Sequence, residues 1–197
     1  MEKPFRGLGV MQNYLDSVKR IFLLYKQLGE KAMAQVDDKE LSWQQNEDSN
    51  SIITIVKHMW GNMLSRWTDF LTSDGEKPWR QRDAEFEAEV LDRVTIMKKW
   101  DDGWQCLFDA IDGLTDKDLD TIIYIRNEGQ SVMDAINRQI AHYSYHVGQI
   151  VYIAKMREKQ EWKSLTIPRN KSNEYNAGKF AQEKQKKNFT DDLLEKK

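Results

Sequence analysis

The chain has 197 residues, 30 lysines and arginines against 32 aspartates and glutamates, three histidines and one cysteine. That length fits one domain with a real core, and the near balance of charge, with no basic stripe interleaved with aromatics, excludes nucleic acid as an expected partner. Cys106 alone cannot form an intrachain disulfide, the apolar run 21–25 is far short of the roughly 20 residues that span a bilayer, and MEKPFRGLGV lacks an apolar signal core, so the expectation is a cytoplasmic protein with no membrane partner.

Helical periodicity dominates from the start. Met11, Tyr14, Leu15, Val18, Ile21, Phe22, Tyr25 and Leu28 recur at three- and four-residue steps and predict a first helix with one core-facing stripe. Ile52, Ile55, Val56, Met59, Met63, Trp67 and Phe70 predict a second, with Ser49, Asn50 or Ser51 as candidate N-cap. After the turn-forming SDGEKP, Asp83 is the expected N-cap of a third helix, with Glu85 and Glu87 in its first turn. Phe86, Val90, Val94, Met97, Trp104, Leu107 and Ile111 lie on its face, and it ends near Gly113.

Between residues 119 and 125 the β-branched and aromatic run DTIIYI predicts a short extended piece against the bundle's end, turning at 127–129. Ser131 with Asp134 reads as a capping box opening a fourth helix, whose seam is Val132, Ile136, Ile140, Tyr143, Val147, Ile150 and Ala154. Beyond Trp162, Pro168, Gly178 and the loss of period predict an extended arm over the bundle. The expectation is all-α: one four-helix domain over 1–180, then a charged tail over 181–197 that frays.

The three histidines are the most informative residues. His142 and His146 stand four apart and share one face of the fourth helix, while His58 lies between Ile55 and Met59 on the second. A lone histidine near an apolar face is more often a hydrogen-bonded core residue, but two imidazoles one turn apart can share an ion. A third from a facing helix would complete a site with positions open to water or substrate. Imidazole ligands suit Zn, Ni, Fe and Cu alike, and the expectation is Zn or Ni first and Fe next. A metal held there can activate water or a thiol as nucleophile.

Helical spacing places Asn62 near His58, Gln139 near His142 and Gln149 near His146. Amides at bundle boundaries more often satisfy backbone or solvent, and only Asn62 and Gln139 are taken as cleft residues. Arg66 is read as a surface ion pair, with a carboxylate of a thiol cofactor as the alternative partner. Cys106 sits among apolar residues as an inert thiol. The pairs Asp37–Asp38 and Asp101–Asp102 are solvated, and Trp67 and Trp104 are core, with Trp60 a candidate pocket wall. Gly7 and Gly9 do not open a nucleotide loop, because Gln12 stands where a third glycine belongs.

The segments VKHMWGNMLSRWTDFLTSDGEKPW, AHYSYHVGQIVYIAK and WKSLTIPRNKSNEYNA together resemble the DinB-like (YfiT-like) metal-dependent four-helix bundle superfamily, in an uncharacterised bacterial subfamily, over most of the chain. The resemblance implies an up-down-down-up bundle, frequently a homodimer. It also implies a divalent metal bound by one histidine of the second helix and an H-x-x-x-H pair of the fourth, positions matched by His58, His142 and His146. It further implies a small-molecule substrate and an activity such as bacillithiol-type thiol S-transfer, with metal-dependent hydrolysis as the alternative. A non-catalytic metal-binding or stress-related bundle is the competing class. No residue beyond the metal ligands is assigned a catalytic role.

Overall fold

Residues 12–194 are described by the structure, a computed structural model; Met11, Gly7 and Gly9 lie outside them. The described chain is mostly helical, with α1 (Gln12–Met33), α2 (Asp38–Leu41), α3 (Ile52–Trp67), α4 (Arg93–Asp112), α5 (Val132–Arg157), α6 (Ser172–Phe180) and α7 (Asp191–Leu194). Its one small sheet pairs β1 (Ile122–Ile125) with β2 (Glu128–Ser131) in antiparallel register, Ile122 opposite Ser131 and Ile125 opposite Glu128. No helix among the described residues is long and apolar enough to cross a membrane.

The predicted stripes become the core. Val18 and Phe22 of α1 are buried, and Tyr14, Leu15, Tyr25 and Leu28 pack against them. Almost every residue of α3 is buried, polar ones included: it packs on α4 and on α5, while α1 packs on α5 and on α4. Phe22 sits 6.0–6.3 Å from the rings of Trp67, Trp104 and Tyr143, joining the four long helices through aromatic edges.

Cap chemistry sets the helix ends. Ser51 Oγ accepts from Thr54 N at 3.1 Å and starts α3. Gly113 caps the end of α4, as expected. Ser131 Oγ accepts from Asp134 N at 3.0 Å to open α5, with the Asp134 carboxylate taking the Ser131 hydroxyl.

Two expectations are corrected and a third is refined. The third helix does not begin at Asp83: residues Asp83–Phe86 form one 3-10 turn, and α4 starts ten residues later, where Asp92 Oδ1 accepts from Thr95 N at 2.7 Å. Val90 and Val94 are 88% and 78% exposed, and the buried face is instead Ile96, Trp100, Trp104, Leu107 and Ile111. The extended piece before α5 is a hairpin. Arg126 and Asn127, at φ 56° and 61°, make its two-residue turn, and both their N–H groups donate to the Asp74 carboxylate at 2.9 Å.

The arm after Trp162 contains α6, a helix with no buried residue and therefore no apolar stripe to read in the sequence. The tail also returns to the body. Asp191 pairs with Arg20 of α1, Asp192 with Lys179 of α6, and Thr190 is fully buried.

Candidate metal centre

His58 projects from α3 and His142 and His146 from α5, and the packing of those helices brings the three imidazoles together. Nε2 of His142 lies 3.3 Å from Nε2 of His58 and 3.1 Å from Nε2 of His146, and the ligand atoms of all three lie within 4.8 Å of one another. No other group of three or more such side chains occurs among the described residues.

The opposite ring nitrogens explain the orientation. Nδ1 of His58 donates to Glu85 Oε2 at 2.9 Å, Nδ1 of His146 to Gln149 Oε1 at 2.9 Å, and Nδ1 of His142 to Gln139 Oε1 at 3.4 Å. Ionised carboxylate and amide oxygens only accept, so each Nδ1 carries the proton and each Nε2 presents a lone pair to the middle of the cluster. Three lone pairs facing one another repel unless a cation lies among them. Zinc–nitrogen bonds of about 2.0–2.1 Å at tetrahedral angles separate neighbouring nitrogens by about 3.3–3.4 Å, close to the two spacings observed. The residues present fit a metal ion.

Behind His58 the support extends further. Glu85 is buried, and Arg80 grips it with two bonds, Nε to Oε1 at 2.8 Å and Nη2 to Oε2 at 3.0 Å. Burial opposes ionisation of Glu85, but the hydrogen bonds from His58 and Arg80 prevail and hold its pKa below the ordinary value. Gly61 makes the approach geometrically feasible. A Cβ at that position of α3 would collide with the carboxylate, whose Cδ lies 2.8 Å from it. Phe86 covers the His58 ring at 4.9 Å between centroids.

Burial depresses the pKa of His142 to about 3, helped by the neighbouring His146 and His58 and by the positive charges of Arg66 and Arg80. Burial also lowers that of His146, against its bond to Gln149. Both are neutral at neutral pH, the form a metal requires.

Asn62 and Gln139 line a cleft of about 230 Å³ with His58 and His142. The Asn62 carbonyl is committed, accepting at 2.9 Å from Tyr143 Oη, which in turn accepts from Trp67 Nε1 at 3.1 Å. Arg66 is buried rather than on the surface, bound to the Gly75 carbonyl and to Glu76 at 3.2 Å. Cys106 bonds Thr68 at 3.6 Å, and burial pushes its thiol pKa up. Trp60, half-buried under the Lys99 ammonium at 3.7 Å, lines a separate pocket with Arg80 and Glu85.

Sequence reasoning missed three supports. Glu85 was placed in a helix's first turn, Arg80 was not singled out, and Gln149 was set aside although its bond to a histidine is shorter than that of Gln139. Gln149 alone carried a signal, its i+3 spacing from His146.

No curated protein and no solved structure matches the chain. One family model does, and since it spans residues 9–171, taking in α1 to α5 and all three histidines, the chain belongs to the family described as protein of unknown function (DUF1572).

Proposed function

We propose that this protein is a divalent-metal-dependent enzyme of the DinB-like superfamily, a thiol S-transferase in which His58, His142 and His146 hold the metal. The observation that carries the reading is the convergence of three Nε2 atoms whose Nδ1 atoms are each held by an acceptor oxygen. Such outer bonds orient metal-ligating imidazoles and raise their basicity.

The up-down-down-up order is supported by contacts along the helices. Near their starts α1 and α5 meet through Tyr14 and Asn137, and beyond their ends through Gln35 and Lys163, so they run the same way. Lys19, early in α1, pairs with Asp112 at the end of α4, so those two run oppositely. Along α3 and α4, Trp60 meets Lys99 and Thr68 meets Cys106, in the same direction.

A bound divalent ion supplies Lewis-acid activation, lowering the pKa of a thiol or of water toward neutrality. The chain's own residues do the rest. Arg80 fixes Glu85, Glu85 keeps the proton on His58 Nδ1, and Gln149 does the same for His146. The cleft beside His58 and His142 receives and orients the reactants. No carboxylate lines that cleft, and Cys106 is a half-buried thiol bound to Thr68. This favours a thiol brought by the substrate over hydrolysis, in which a general base would assist.

The test is spectroscopic. Cobalt-loaded protein titrated with a low-molecular-weight thiol should develop an intense near-ultraviolet sulfur-to-cobalt band, absent from His146→Ala. An unchanged spectrum together with zinc-dependent ester hydrolysis would move the assignment to the hydrolase.

A further inference from the structure

The cleft beside the histidines has an unusual wall. Five arginines line it, Arg66, Arg80, Arg82, Arg126 and Arg138, and no acidic residue does. The acids nearby do not neutralise them. Glu76 alone serves three guanidinium groups, Arg66 at 3.2 Å, Arg126 at 3.0 Å and Arg80 at 3.8 Å. Glu85 is divided between Arg80 and His58, and Asp83 is fully exposed at 3.8 Å from Arg82. Arg138, on the exposed face of α5, has no ion pair or hydrogen bond among the described residues. Arg66 is 6% exposed, and its Nε has no hydrogen-bond partner.

Gathering like charges around one concavity is unfavourable unless an anion repays the repulsion, and a guanidinium presents paired N–H donors that match the oxygens of carboxylate and phosphate. Arg80 is locked onto Glu85 and serves the metal centre. Arg126 and Arg138 have freedom to close on a ligand, since the Arg126 side chain is 59% exposed and Arg138 is exposed and unpaired, whereas Arg82 lies over the Phe86 ring at 5.2 Å. At about 230 Å³ the cleft is below the usual range for a whole drug-sized ligand and suits a compact molecule, or the anionic end of a larger one.

We infer that the cleft is an oxyanion site: the substrate carries a carboxylate or phosphate group that Arg126 and Arg138 clasp, which sets the substrate's reactive part beside His58 and His142. The substrate class rests on the metal-dependent reading above; the oxyanion site itself does not need it.

The experiment measures binding of inorganic phosphate and of acetate by calorimetry at low ionic strength, to zinc-loaded and to metal-free protein, with zinc content determined alongside. The variants are Arg138→Gln and Arg126→Gln, both at exposed positions, with folding checked by circular dichroism. Wild type should bind at least one probe with or without zinc, the tighter one naming the substrate's anion. Arg138→Gln should weaken that binding about tenfold or more while zinc content stays unchanged, the loss expected for a charge-assisted hydrogen bond. Failure of wild type to bind either probe at millimolar concentration, or binding that neither arginine variant changes, overturns the oxyanion site and leaves the metal centre standing. Arginine-dependent binding in a protein that takes up no zinc supports the oxyanion site and overturns the metal-dependent reading.

Discussion

Two buried carboxylates of this protein look alike and do different work. Glu40, 4% exposed at the end of α2, accepts from Arg157 at 2.7 Å and pairs with Lys159 at 2.9 Å, with Arg157 lying over the Trp43 ring at 4.6 Å. The hydrogen bonds from Arg157 and Lys159 hold its pKa down to about 2. Glu85, 8% exposed, is also gripped by an arginine, but one of its oxygens is shared with an imidazole whose other nitrogen faces two more imidazoles. The first carboxylate closes a joint, tying α2 to the end of α5. The second aims a side chain. What distinguishes them is where the partner's remaining valence points: to solvent for Arg157 and Lys159, to a convergent cluster for His58.

The largest expected effect separates the two. Glu85→Gln leaves buried Arg80 with only Glu76 as counter-charge, 3.8 Å away and shared with two other arginines, a loss of about 3 kcal/mol of stability, the lower end for breaking a buried pair. It also weakens zinc binding about 10–100-fold through His58. Glu40→Gln should lower the melting temperature and leave the zinc dissociation constant unchanged, because Arg157 and Lys159 reach water. Chemical denaturation and competitive zinc titration of both variants check this, and equal effects on zinc affinity would break the comparison.

Gly61→Ala sharpens it. In an ordinary helix interior this change stabilises by roughly 0.5–1 kcal/mol, but here the new methyl group displaces the Glu85 carboxylate. The expected result is zinc affinity lowered by about tenfold, the lower end for loss of an outer-sphere bond, measured by the same titration.

Acidification of metal-free protein supplies a third test. The folded state keeps His142 neutral down to about pH 3, whereas in the unfolded chain it takes up a proton near 6.5. The unfolded state therefore binds more protons across this window, and stability must fall as pH falls. Between about pH 6.5 and 4.5, above the carboxylate range, the slope reports His142 and His146, and His142→Asn should flatten it in urea denaturation series.

The smallest effect is expected from Tyr143→Phe. It removes a hydroxyl that links Trp67 to Asn62, costs about 1–2 kcal/mol by leaving buried partners unmet, and leaves zinc stoichiometry unchanged.

The sequence carried the candidate ligands more clearly than their supports. An H-x-x-x-H pair on a seamed helix has a spacing that helix geometry makes readable, and His58 sits in a segment whose apolar residues recur at helical steps. Glu85 lies 27 residues from His58 and reaches it through an irregular connection, so no period connects them. The same connection misled the reading of the third helix. Phe86, Val90, Val94 and Met97 happen to fall at helical steps, yet Val90 and Val94 face water, and the capping signal that prevails is Asp92 with Thr95. In α6 the helix is local, without a buried face, so nothing in hydrophobic pattern could reveal it. The arginine-lined cleft was invisible for a related reason: its cations come from α3, α5, the segment before α4 and the hairpin turn, and meet only in space.

The central claim is tested most directly by elemental mass spectrometry of untagged protein and of His146→Ala purified identically, each after reconstitution with zinc and removal of the excess. The account predicts about one tightly bound equivalent in the wild type and its loss in the variant, with helical content preserved. Equal metal in both proteins, or none in the wild type, would contradict it.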